Sequence, residues 1–110
     1  MICLIQEKCT PEALAQMQEA LGEYVKVAVD IEQGILAGGG AMHADCEALL
    51  LEQGSFQENI WGAGWFPASQ QVTFDSLINI RPRQGNRSLE VQDPALRQRI
   101  EAIVRERLTL

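Results

Sequence analysis

Tyr24-Val-Lys-Val-Ala-Val-Asp-Ile-Glu-Gln-Gly-Ile-Leu-Ala37 carries the pattern on which the fold turns. From Tyr24 the period is two: Val25, Val27, Val29 and Ile31 fall on one side, and Lys26, Ala28, Asp30 and Glu32 on the other, the alternation of a half-buried strand. Gln33-Gly34 permits a tight turn, and Ile35-Leu36-Ala37 returns as a second strand. The pair reads as a hairpin, which makes the local sheet antiparallel.

Toward the N-terminus, Ile2 to Ile5 reads as a short buried strand. Thr10-Pro11 then supplies a helix cap and a proline suited to the first turn. That helix is expected to reach Leu21 and stop at Gly22, with Leu14, Met17 and Leu21 facing inward. Toward the C-terminus, Gly38-Gly39-Gly40 ends the hairpin. Ala41 to Glu52 follows as a second helix with Cys46, Leu49 and Leu50 on one stripe, closed by Gly54. Ile60–Phe66 and Val72–Arg81 read as a second antiparallel pair, the latter placing Val72, Phe74, Ser76, Ile78 and Ile80 inward and Asp75, Leu77, Asn79 and Arg81 outward. Leu89 to Val91 is expected as a last short strand. Asp93-Pro94 opens a helix whose stripe is Leu96, Ile100, Ile103, Val104 and Leu108, with Glu101 and Arg105 forming a surface pair worth roughly 0.3 kcal/mol. The order β-α-β-β-α-β-β-(β)-α describes one α+β domain over residues 1–110. It has an antiparallel or mixed sheet of about five to six strands and three helices, expected on one face.

Size and composition agree with one domain: 110 residues, 46% hydrophobic and 22% charged. A chain of this length hides roughly two thirds of its unfolded surface, enough for one core without a metal or disulfide staple. The formal net charge of −6 opposes the counterion-driven attraction that nucleic-acid binding needs, so no nucleic-acid partner is expected. The charge is segregated, since all seven arginines lie between Arg81 and Arg107. Cys3, Cys9 and Cys46 are odd in number and lack metal-knuckle spacing, which suits reduced thiols and a cytoplasmic setting. No basic and apolar leader pattern opens the chain and no stretch is long enough to span a bilayer, so no membrane partner is expected.

Two glycine-rich polar stretches, Val29 to Asp45 and Ser76 to Pro94, together with Trp61-Gly62 between them, resemble a family of short prokaryotic proteins, cyanobacterial members included, classed as a domain of unknown function. The resemblance covers nearly the whole chain. It implies a single-domain bacterial cytosolic protein and brings no activity, cofactor or catalytic residue with it.

Three constellations carry chemistry. Arg81, Arg83 and Arg87 surround Gly85-Asn86 with no acid between them; guanidinium forks match carboxylate and phosphate, and a glycine turn can add backbone N–H donors. With Asn79 from the neighbouring segment, this turn is the leading candidate site for a small anionic ligand. The competing explanation is pairing of these arginines with Glu90, Asp93, Asp30 or Glu32. The second constellation is His43-Ala-Asp-Cys-Glu47, in which His43 and Glu47 would share a helical face. With Asp45, Asp75 or Asp30 it suggests a metal-dependent hydrolase using His43 as base, although no metal-ligand set can be specified. Its competing explanation is helix capping by Asp45 or His43 with Cys46 in the core. The third is Trp61, Trp65 and Phe66, a core cluster or the contact of a noncatalytic interaction module, leaving a monomer or a homodimer open. Gly38-Gly39-Gly40 resembles a phosphate loop only loosely, lacking its spacing and its Lys-Ser/Thr.

Overall fold

The computed structural model describes residues 1–110. Its elements are β1 (Cys3–Ile5), α1 (Pro11–Met17), β2 (Val25–Asp30), β3 (Ile35–Gly38), α2 (His43–Glu52), β4 (Ile60–Phe66), β5 (Gln71–Thr73) and α3 (Pro94–Leu108), with three short 3-10 turns at Gln57–Asn59, Leu77–Asn79 and Pro82–Gln84. The five strands form one sheet in the order β1-β3-β2-β4-β5, every pairing antiparallel. The α+β class, three helices and strand-rich middle follow the expected order.

The helices do not share one face. Val25, Val27, Val29, Leu36, Trp61, Ala63 and Trp65 pack with Leu14 and Met17 of α1 and Ile100, Val104 and Leu108 of α3. On the opposite side, Ala28, Ile35, Ala37 and Ile60 pack with Cys46 and Leu50 of α2. The alternation of β2 therefore marks two buried faces. Small residues such as Ala28 and Ala37, rather than solvent, occupy the α2 side. Each fully buried aliphatic side chain contributes about 2 kcal/mol, so α3, with three of them at 1% exposure or less, is a principal clamp on the sheet.

α1 stops at Met17, and the chain turns through to Gly22, leaving Leu21 39% exposed rather than in the core. Thr10 caps α1 through a 3.1 Å bond from the Ala13 N–H, and Asp93 caps α3 from the Ala95 N–H at 3.0 Å. The glycine run is a packing device. A side chain on Gly39, which adopts φ +101°, would run into the Met1 carbonyl and the Met17 backbone, and one on Gly40 would press on Cys46.

The strand expected over Val72–Arg81 ends at Thr73. Phe74 and Ser76 instead exchange two bonds with the 89–91 segment, from Val91 N–H to Phe74 C=O and from Ser76 N–H to Leu89 C=O, both 3.0 Å. The last short strand expected over Leu89 to Val91 is thereby reduced to a single bridge between Asp75 and Glu90. Beyond Ser76 the backbone coils into the 77–79 turn, which removes the polar row expected on one strand face.

Candidate functional site

The 74–92 segment is organised by two buried asparagines. Asn79 is fully buried; its Oδ1 accepts the Gly62 N–H at 2.8 Å, and its Nδ2 donates to the carbonyls of Gly62, Phe74 and Leu89 at 3.0–3.2 Å. Asn86 Nδ2 reaches the carbonyls of Asn79, Ser88 and Glu90, while its Oδ1 accepts from Gln92 N–H at 2.9 Å. Both amides, expected to meet a ligand, are saturated by main chain because this coil has no ladder to satisfy its backbone groups.

Arg81 is likewise built in. Its guanidinium donates to the carbonyls of Ile78, Gln57 and Ile60, lies 4.6 Å from the Trp61 ring centre and pairs with Glu47 at 3.6 Å. Its side chain is only 10% exposed and that of Glu47 13%. Burial lowers the Arg81 pKa, and Glu47 opposes the shift. Pairing with an acid is thus correct for Arg81, but the acid is Glu47. Arg83 and Arg87 are exposed, and their side chains make no hydrogen bond or ion pair within the chain. The expected three-arginine site resolves into one structural guanidinium and two unengaged ones.

A cleft of about 360 Å³ lies on the α2 side of the sheet, between the start of β2, the first turn of α2 and the 75–78 segment. Its polar lining is Tyr24, Lys26, His43, Asp75 and Ser76; Met42, Ala44, Leu77, Ile78 and Leu89 form its apolar walls. Gly64, paired with Lys26 across the β2–β4 ladder, leaves the space that the Tyr24 ring occupies, and a side chain there would collide with the Tyr24 hydroxyl. Gly62 does the same for Ser76. Tyr24 Oη and Thr73 Oγ1 are 3.1 Å apart, and the Tyr24 ring stacks at 4.6 Å on Phe66. Lys26 Nζ donates to the Ala41 carbonyl at 3.1 Å, beside the start of α2.

His43 Nε2 lies 2.8 Å from the Ala63 carbonyl. A carbonyl only accepts, so Nε2 carries the proton and Nδ1, which has no partner in the chain, is the bare nitrogen of the neutral ring. Burial lowers the His43 pKa; the Ala63 bond raises it, Lys26 lowers it and Asp75 raises it. Burial raises the Tyr24 pKa, Thr73 opposes this, and Asp75 adds to it.

Of the expected catalytic residues, His43 and Asp75 meet in this cleft, whereas Asp45 is exposed on α2 and lines neither it nor the neighbouring cleft. Neither Asp45 nor His43 caps α2, whose cap position is Met42 without a side-chain bond. No three histidine, cysteine or carboxylate side chains gather in a metal-binding group. Asp30 is held by Gln33 and Ser55, and Glu47 by Arg81. Cys46 is fully buried, with its thiol pKa raised by burial, which removes it as a nucleophile. Trp61 and Trp65 are 3% and 1% exposed, leaving no tryptophan surface for a dimer. Tyr24 and Lys26 escaped the sequence reading because their strand face was expected to meet solvent. The available signal was the two-residue spacing of Gly62 and Gly64 in β4, which vacates space above that face.

No helix is long and apolar enough to cross a membrane. No curated protein and no solved structure matches the chain significantly. The family model described as protein of unknown function (DUF5674) matches residues 3–107, nearly the whole length, and the chain belongs to that family.

Proposed function

We propose that this protein binds a small amphipathic molecule bearing a carboxylate or phosphate in the Tyr24–Lys26–His43–Asp75 cleft. The observation that carries the reading is convergence: three separate segments bring a cation, a carboxylate, a phenol and an imidazole into one otherwise apolar depression. Functional sites for small molecules are commonly apolar hollows with a few such polar groups. Lys26 supplies the charge for the anionic group at the N-terminal end of α2, where the helix dipole favours a negative charge. Asp75 and His43 Nδ1 accept from a hydroxyl or amine on the same ligand, and Met42, Leu77, Ile78 and Leu89 cover its apolar part. This keeps the small anion expected from the sequence but moves its seat from the arginine turn to Lys26.

The neutral His43 ring also suits proton transfer. Its Nδ1 is an unengaged base, and the Ala63 carbonyl fixes the tautomer from the other side of the ring. A ligand with an acidic C–H or O–H at Nδ1 would make the site a base catalyst without a metal.

The test is an amide NMR titration of labelled protein with a panel of hydroxy acids, amino acids, aryl carboxylates and sugar phosphates. Saturable shifts at Tyr24, Lys26, His43, Ala44 and Asp75 that vanish in Lys26→Met are expected. Shifts confined to Arg81–Arg87, or none with any compound, overturn the reading.

A further inference from the structure

Five arginines are anchored: Arg81 as described, Arg97 to Glu90 and the Val91 carbonyl, Arg99 to Glu32 and the Ile31 carbonyl, Arg105 to Glu101 and the Gln70 carbonyl, and Arg107 to the Gly34 carbonyl. Arg83 and Arg87, the two left over, stand on the exposed turns of the segment that also carries the most exposed aliphatic residues outside the termini. Leu77 is 72% exposed, Ile80 45% and Leu89 45%, and Met42 at 57% faces Leu77 and Leu89 across the first cleft. Leu77 and Ile78 wall a second depression of about 530 Å³ as well, whose other side includes Ile80, Pro82 and Arg83. The two depressions thus flank a single apolar ridge, with the unengaged Arg83 lining the second of them and Arg87 two residues along the chain from Leu89.

We infer that this ridge is a docking surface for an acidic, leucine- or isoleucine-containing segment of another protein. Charge complementarity selects the occupant. On a chain of net charge −6, this segment carries two cations without counter-ions, and one of them, Arg83, lines the second depression. The carboxylates around it are mostly neutralised, Glu47 by Arg81 and Glu90 by Arg97, and Asp75 remains at the far end, in the first cleft. Arginine forks bind carboxylates in a bidentate manner, and the exposed aliphatic side chains of the same segment provide the apolar contact that an interface centre needs. A ridge flanked by hollows suits side chains alternating along a peptide rather than a flat face.

Selection of 15-residue peptides from a displayed random library on the immobilised full chain tests this, followed by fluorescence-anisotropy titration of the enriched peptides. Enriched peptides should combine Asp or Glu with Leu, Ile or Phe. The double variant Arg83→Glu/Arg87→Glu should weaken their binding at least tenfold, and Leu77→Ser/Leu89→Ser similarly. Lys26→Met should bind as tightly as the parent, which separates this surface from the small-molecule cleft. Circular dichroism melts of the variants exclude unfolding as the cause, since all four substituted side chains on the ridge are solvent-exposed. Enrichment of neutral or basic peptides, indifference to the arginine pair, tighter binding of a single-stranded oligonucleotide, or concentration-dependent dimerisation abolished by the same variants would each overturn the inference.

Discussion

The side chain of Asn79 stands in for a β-strand beside Gly62, accepting the glycine N–H at 2.8 Å and donating to its carbonyl at 3.0 Å. One amide supplies both halves of a strand pairing at the position where β5 has already ended, and its remaining bonds tie down Phe74 and Leu89. The wall of the 360 Å³ cleft formed by Asp75, Ser76 and Leu77 hangs from this residue.

Replacing Asn79 with alanine leaves the Gly62 N–H and carbonyl without partners, at about 1–3 kcal/mol for each group not rescued by water, and takes one of two bonds from the Phe74 and Leu89 carbonyls, which keep the Val91 and Ser76 N–H groups. Asn79→Ala should lower unfolding stability by about 3 kcal/mol in urea titrations. The amide resonances of residues 74–80 should broaden before the rest of the domain melts.

Arg81 and Arg83 are two residues apart and should behave oppositely. Arg81→Met strands Glu47 in a buried site and frees three carbonyls, costing about 3 kcal/mol or more. Arg83→Ala removes an exposed side chain without partners and should change stability by no more than about 0.5 kcal/mol. Equal effects in thermal melts would contradict the division into structural and unengaged arginines.

His43 is the sole histidine, so its imidazole titration can be followed without assignment. It should titrate below the ordinary value of about 6.5. Because Lys26 lowers its pKa and Asp75 raises it, Lys26→Met should move the midpoint up and Asp75→Asn should move it down.

The same group links stability to pH. A histidine whose folded pKa is lowered favours the neutral form, so its stabilising contribution is complete above about pH 6.5 and declines as pH falls through that value. His43→Gln retains a donor for the Ala63 carbonyl but does not titrate. Its melting temperature should therefore fall less than that of the parent between about pH 7.5 and 5.5.

Gly64→Ala should expel the Tyr24 ring from its place, since a Cβ there overlaps the phenol and the Thr73 hydroxyl. A loss of about 1–3 kcal/mol is expected from such overpacking. Ligand shifts at Tyr24 should disappear even where the domain remains folded.

Much of the architecture was legible locally. The period-two run from Val25 and the Gln33-Gly34 turn determined the central hairpin, and Thr10-Pro11 and Asp93-Pro94 determined two helix starts, because caps and turns are decided by neighbours in sequence. His43 and Asp75 were identifiable as chemistry-bearing residues by type alone. Tertiary structure decided the rest. Whether the Lys26–Ala28–Asp30 face met water or α2 depended on the path of the chain after Gly38, and alternation looks the same when small residues face a helix. The strand expected to run to Arg81 ended at Thr73 because Asn79 could satisfy Gly62 with a side chain, a substitution for a backbone ladder that no periodicity registers. Which arginines were anchored depended on carbonyls as distant as Gly34 is from Arg107. The walls of the cleft are seated by Gly62 and Gly64, whose missing side chains make room for Ser76 and Tyr24, and a residue's absence of side chain acquires meaning only when the fold brings another residue into the gap.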